Sequence, residues 1–252
     1  MTDHASLMTK AEMLRRRLGM DSSSPLDIFR ISQSIEGLTV VFYPMGDNLS
    51  GMCVKGQNGN SVVAVNSSMT LGRQRFSLAH EFYHLYYDDA MISVCAKKLG
   101  DGKDTERAAD MFASYFLMPD ASLMEMVEGI VSGRKERHLG TDDLIRIGQY
   151  YGVSHRSVVY RLSGTQFLSR KEAELLLNIP VRRMAEALGY SPDLYRSSPE
   201  SGRYMTYGNY IKQANAVLER GLVSEGKYEE LLLEAFRGDL VYGTDEGGDV
   251  ID

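Results

Sequence analysis

The sequence has few cysteines and no apolar run long enough to cross a membrane. Its only two cysteines are Cys53 and Cys95, and their spacing matches neither a zinc ribbon nor a disulfide framework. We interpret both as buried or inert thiols, which suits a reducing compartment. The N-terminal segment lacks the apolar core of a signal peptide, so we expect a cytoplasmic protein without a membrane partner.

A basic excess is also missing, because the formal net charge of the 252 residues is −6. A dedicated DNA-binding domain is usually basic, so this charge disfavours DNA as the main partner. The apolar fraction of 43% is typical of a globular protein and excludes wholesale disorder. No internal repeat is visible, and the length suits one large domain or one domain with an appendage.

Two short helices are expected at the N-terminus, and three β-like runs follow them. These runs are rich in valine and aromatic residues, with turn-forming residues between them, and we expect a small antiparallel sheet. They are Leu38–Tyr43, Gly51–Val54 and Ser61–Asn66. Helices are then predicted over Gln74–Tyr87 and about Thr105–Leu117, with a loop over Asp88–Lys103 between them.

The first of these long helices carries the run His80-Glu81-Phe82-Tyr83-His84, an HExxH motif. Residues four apart lie on one face of a helix, so the two imidazoles can bind a single metal ion. Glu81 borders the same face, where it can act as a general base on an attacking water molecule. The flanking residues are mostly apolar, and buried polar groups are costly unless something pairs them. The alternative is an ordinary amphipathic helix that happens to carry two histidines.

A second pair of acids, Glu106 and Asp110, lies four apart on the following predicted helix. Glu106 can complete a His₂Glu set with one open position, which is the catalytic form of zinc coordination. Asp110 can accept a hydrogen bond from the second ring nitrogen of a ligand histidine. The alternative is a solvated helix start, where acids are favoured by the helix dipole.

Two further parts of a peptidase site stay open. The oxyanion donor has seven candidates by chemistry alone: Tyr83, Tyr86, Tyr87, Arg73, Arg75, His138 and His155. The run Val62–Asn66 precedes the motif helix closely, and an extended peptide could add to it if it forms a sheet edge. The alternative is an interior strand.

Further segments around the motif resemble the ImmA/IrrE family of metallopeptidases. They are Pro25–Ile28, Ser50-Gly51, Val65-Asn66, Arg73–His84, Glu106–Ala113 and Leu117–Pro119. The resemblance covers roughly residues 5–165 and implies a zincin-like fold, a bound zinc ion and cleavage of a helix–turn–helix repressor, which relieves repression. The Glu106–Asp110 pair also resembles the thermolysin-type arrangement of third ligand and supporting acid. One departure is the bulky pair Phe82 and Tyr83, where the family usually has small residues.

A helix–turn–helix-like segment is predicted over 142–162, within a locally basic stretch. One interpretation is DNA binding by the second helix, which His155 and Arg156 would open. The other is a packing unit that braces the catalytic domain, and the overall acidic charge favours it.

The sequence therefore predicts an α+β protein with three parts. A zincin-like metallopeptidase domain spans 1–130, an all-helical region spans 131–242, and a flexible tail spans 243–252. The competing hypotheses are a DNA- or protein-binding regulator with a structural or vestigial metal site and an antirepressor that acts by binding alone. Glu81 favours the enzyme, because a structural zinc site needs no base and tends to have four protein ligands.

Overall fold

The computed structural model describes residues 3–56, 58–96 and 104–243. Its strands β1 to β5 are Leu38–Tyr43, Leu49–Lys55, Ser61–Asn66, Ile92–Ala96 and Met205–Gly208. Helices α1 to α5 are His4–Arg17, Ile28–Ser34, Leu71–Tyr87, Asp104–Leu117 and Asp120–Val131. Helices α6 to α12 are Thr141–Tyr151, His155–Leu162, Arg170–Leu176, Val181–Ala187, Asn209–Glu219, Glu225–Glu234 and Gly238–Tyr242.

The mixed α+β class expected from the sequence is confirmed, with a mostly helical C-terminal region. The predicted division at residue 130 stays a prediction, and the predicted tail lies outside the described residues except for Gly243. No helix among the described residues is long and apolar enough to cross a membrane.

The five strands form one sheet in the order β4-β2-β3-β1-β5. Most neighbours are antiparallel, but β1 and β3 pair in parallel, with Leu38 opposite Ser61 and Tyr43 opposite Asn66. This corrects the purely antiparallel expectation, because β3 inserts between β1 and β2 instead of following them in order. β3 is consequently an interior strand, so the idea that a peptide adds to its edge is wrong.

Two strands arise where none was expected. β4 lies in the segment predicted as a loop, and β5 lies in the region predicted to be all-helical. A strand usually buries its apolar side chains and exposes its polar ones, but β4 does the opposite. Ser93 and Cys95 are buried, while Ile92 and Val94 are exposed. A buried polar face gives no apolar signal of period two, which explains why the strand escaped prediction. β5 pairs antiparallel with β1 and thereby ties the C-terminal region to the sheet.

Helix α3 lies between the sheet and α4 and carries the HExxH motif. On one side it contacts β2 and β3, and on the other its Phe82 meets the ring of Phe116 on α4 at 6.0 Å between centroids. Three small residues of α4 are buried: Ala108, Ala109 and Ala113. Because small side chains let two helices approach closely, the acids of α4 reach the motif of α3.

The position of α4 depends on Arg15, a guanidinium with only 1% of its residue surface exposed. Arg15 on α1 donates hydrogen bonds to the carbonyls of Asp21, Ser24 and Phe116. It therefore links α1 and the following turn to the last turn of α4, whose carbonyls have no partner within the helix. Burial lowers the pKa of Arg15, although Asp21 counteracts this.

We expect Arg15→Met to destabilise the protein by about 3 kcal/mol, because it leaves three carbonyls without their donor in or near the core. Chemical denaturation of wild type and variant measures the difference. Arg16→Met is the matched control, since Arg16 is exposed on the same turn of α1. Equal destabilisation by both substitutions would show that the carbonyl contacts of Arg15 contribute nothing specific.

Candidate metal centre

Three predicted ligands converge between α3 and α4 with the spacing that a tetrahedral metal ion requires. The Nε2 atoms of His80 and His84 are 3.2 Å apart. Each Nε2 atom lies 3.4 Å from a different carboxylate oxygen of Glu106. Zinc bonds to nitrogen and oxygen of about 2.0–2.2 Å at tetrahedral angles separate the ligand atoms by about 3.3–3.5 Å. The three side chains therefore fit one ion without rearrangement.

The outer nitrogens of both histidines are held by carboxylates. The Nδ1 atom of His80 lies 2.9 Å from Oδ1 of Asp110, as the sequence predicted for the supporting acid. The Nδ1 atom of His84 lies 2.8 Å from Oδ2 of Asp88, which sequence reasoning missed. These contacts orient each ring so that Nε2 faces the other donors. Asp88 follows His84 by four residues, and that spacing was the available signal.

The pKa values of the two imidazoles are shifted in opposite directions. Burial opposes a charge on His80, yet the nearby Asp110 and Glu106 hold the pKa of its imidazole well above the usual value. Burial is the largest influence on His84 and lowers its pKa. The hydrogen bond from His80 lowers the pKa of Glu106. A metal ion bound by Nε2 replaces a proton in this cluster, so binding releases protons.

Glu81 is fully buried, and no N–H or O–H group of the described residues donates a hydrogen bond to its carboxylate oxygens, so the thiol of Cys95 is the one neighbouring group that acts on them as a donor. Burial raises its pKa to about 7, an effect that the neighbouring His80 offsets only in part. The space it occupies exists because Gly51 of β2 has no side chain. A Cβ atom there would lie 2.8 Å from Oε1 of Glu81. A buried carboxylate without an N–H or O–H donor is the group that a base beside a metal ion requires.

A fourth donor, Cys95, was missed as a site residue. Its sulfur belongs to the same cluster, in which the ligand atoms of His80, His84, Cys95 and Glu106 all lie within 4.8 Å of one another. The residue is fully buried, and burial raises the pKa of its thiol to about 11. The interpretation of Cys95 as an inert buried thiol therefore accounts for its burial but not for its place among the donors.

Together these residues fit a bound metal ion of the zinc type. Imidazole, carboxylate and thiolate are the donors that zinc takes in proteins, whereas calcium and magnesium take oxygen donors. The buried oxygens of Glu81, which accept no N–H or O–H hydrogen bond from the described residues, belong to the residue that directly follows His80.

Several of the oxyanion candidates are held away from this cluster by their own partners: Tyr87, Arg75, His138 and His155. Arg73 differs, because its charge interacts with Asp110 at the site. The start of α7, where a DNA-reading helix would contact bases, contains buried His155 and Ser157. That burial supports the packing interpretation of the helix–turn–helix-like segment.

A family model described as the IrrE N-terminal-like domain, Peptidase_M78, matches residues 34–163, which is about half of the chain. No curated protein matches the chain. Among solved structures, a Mycobacterium tuberculosis transcriptional regulator is similar with 16% identity and a TM-score of 0.41. The aligned part covers 63% of this chain and 46% of that regulator, so the chain spans less than half of its length.

We expect Asp88→Asn and Asp110→Asn to weaken zinc binding by about 10–100-fold, because each frees one ligand imidazole from its orienting carboxylate. Glu106→Ala removes a ligand and should weaken binding further. Competition with a chelator of known affinity ranks the variants, and Asp89→Asn is the control because Asp89 is exposed beside Asp88. If Asp110→Asn loses the metal while Glu106→Ala keeps it, Asp110 is the ligand and Glu106 the supporting acid.

Proposed function

Because the chain belongs to the family of peptidases with an IrrE N-terminal-like domain, we propose that it is a zinc-dependent endopeptidase. Its substrate would be a helix–turn–helix repressor or a similar regulatory protein, whose cleavage relieves repression in the cytoplasm. One observation carries the proposal: the buried carboxylate of Glu81, which accepts no N–H or O–H hydrogen bond from the described residues, lies beside a cluster of four donors that could hold one metal ion. A structural metal site has no use for such a group.

Each of these residues would have its own role in the reaction. His80, His84 and Glu106 hold the zinc ion, while Asp110 and Asp88 keep the two imidazoles in the required orientation. A zinc ion held there would lower the pKa of a water molecule and polarise a peptide carbonyl. Glu81 accepts the proton of the attacking water on a carboxylate oxygen and delivers it to the leaving amine.

The substrate would bind in extended form along β4. Within the described residues β4 pairs with β2 on one side only, and its buried Cys95 belongs to the metal-ligand cluster. Ile92 and Val94 are 65% and 56% exposed and present an apolar face there. Main-chain hydrogen bonds to an edge strand would align a flexible segment of the substrate, and side-chain contacts would give specificity.

The second candidate function is a regulator that binds protein and uses the metal only for structure. Cys95 is the observation in its favour, because it offers a fourth protein ligand, which is usual for structural zinc sites. Against it stands Glu81, whose burial without an N–H or O–H donor costs stability and brings a structural site no benefit.

Glu81→Gln should separate metal binding from hydrolysis. The amide has the shape of the acid and carries no charge to bury, so we expect the fold and zinc content of the wild type. Cleavage should fall by about 10²–10⁴-fold, because the amide cannot accept the proton of the attacking water. The measurement is incubation of wild type and variant with a helix–turn–helix repressor as the candidate substrate, followed by mass spectrometry of the products.

Glu229→Gln is the control, since Glu229 is exposed on α11. If Glu81→Gln cleaves the repressor at the wild-type rate, Glu81 is not the base. If the variant relieves repression in cells without cleaving, the regulator that acts by binding replaces the peptidase.

A further inference from the structure

We propose that Cys95 is a fourth protein ligand that closes the metal site in the resting protein, so that hydrolysis requires the thiolate to leave the metal. The claim that the thiolate must leave before hydrolysis rests on the proposed peptidase function. The assignment of Cys95 as a ligand rests on the donor cluster itself.

The strand pairing determines where the thiol points. Cys95 is opposite Gly51 in the β2–β4 ladder, and Gly51 is in turn opposite Val65 of β3. Directly paired residues put their side chains on the same face of a sheet, and the buried Val65 shows that this face is the inner one. Because Gly51 contributes no side chain to this face, the carboxylate of Glu81 occupies the space beside it.

β4 is fixed in this register by a side-chain contact. The hydroxyl of Ser50 donates to the carbonyl of Cys95 at 3.2 Å. The hydroxyl of Ser93, two residues earlier on the same face, lies 3.4 Å from the sulfur. Both serines are buried. These contacts hold the end of β4 against the site, although the register of an edge strand could otherwise shift.

Two independent observations point to a ligand and not to an inert thiol. The sulfur lies within 4.8 Å of the ligand atoms of His80, His84 and Glu106. Beside it is the fully buried Glu81, whose carboxylate oxygens accept no N–H or O–H hydrogen bond from the described residues. Tetrahedral zinc with one sulfur ligand separates that sulfur from the other donor atoms by about 3.5 Å, so a small inward movement of β4 completes the set.

Cys53 provides an internal comparison. It is buried on β2, opposite Ser93, and therefore on the same inner face as Cys95. Its sulfur is nevertheless not part of the donor cluster found among the described residues. The two cysteines thus share burial and face but differ in their distance from the ligands, which makes Cys53 the matched control.

Ligation changes the state of the site in a defined way. When the ion binds, the Cys95 thiol loses its proton to solvent and the thiolate occupies the fourth position, so no position remains for water. When the sulfur leaves, it regains one proton from solvent and a water molecule takes its place. No oxidant or reductant is needed, and a substrate that pairs with β4 could shift the equilibrium by moving the strand.

Cobalt(II) substitution tests the ligand directly. Wild-type protein and Cys53→Ala should show the near-ultraviolet charge-transfer absorption of a cobalt–thiolate bond, whereas Cys95→Ala and Cys95→Ser should lack it. The Cys95 variants keep three ligands and should still bind cobalt, but with lower affinity in a chelator competition. Circular dichroism and melting temperature establish that they are folded.

Cleavage of the repressor per bound zinc tests the closure. If the fourth position is free of the thiolate in about one tenth of the wild-type protein or less, Cys95→Ala should cleave the repressor about tenfold faster or more. Cys53→Ala should cleave at the wild-type rate. A wild-type cobalt spectrum without the thiolate band overturns the inference, and this outcome does not depend on any variant.

The remaining outcomes separate this inference from the proposed function. Glu81-dependent cleavage by a wild-type protein that lacks the thiolate band overturns the ligand and leaves the peptidase standing. A thiolate band with unchanged or slower cleavage by Cys95→Ala overturns the closure. A thiolate band with no cleavage by either protein contradicts the peptidase and the closure together, and identifies a structural four-ligand site.

Discussion

Burial of His80, Glu81 and His84 on one helix is the constraint on which the rest of the structure depends. All three residues are at most 7% exposed, inside a core of aromatic and aliphatic side chains. Burying such groups without partners costs several kcal/mol, so the fold must supply partners or a metal ion. The structure supplies carboxylates to both histidines and leaves Glu81 without an N–H or O–H donor among the described residues. The cost of this buried carboxylate is what the proposed role of Glu81 as a general base explains.

The neighbouring elements follow from this constraint. Helix α4 must approach α3 closely enough to present Glu106, and its buried alanines permit that approach. Arg15 holds the far end of α4 through Phe116, so a contact remote from the metal ligands still sets their geometry. On the sheet side, β2 must leave space for Glu81, and only glycine does so at position 51. Stability and site geometry are therefore carried by the same contacts.

The sequence predicts the local part of this arrangement and fails on the non-local part. The motif helix, the helix of Glu106 and the role of Asp110 follow from spacings within one helix, and the structure has these residues in contact. The parallel pairing of β1 with β3 depends on which strand inserts between two others, and no local pattern encodes it. Cys95 escaped because β4 buries its polar positions and exposes its apolar ones, which inverts the usual signal of a strand.

Anomalous diffraction at the zinc absorption edge tests the central claim most directly, because it locates the metal independently of activity. Crystals of the protein grown with zinc should show one strong anomalous peak about 2.0–2.2 Å from Nε2 of His80, Nε2 of His84 and a carboxylate oxygen of Glu106. No peak between α3 and α4, or a strong peak bound by other residues, would contradict the account.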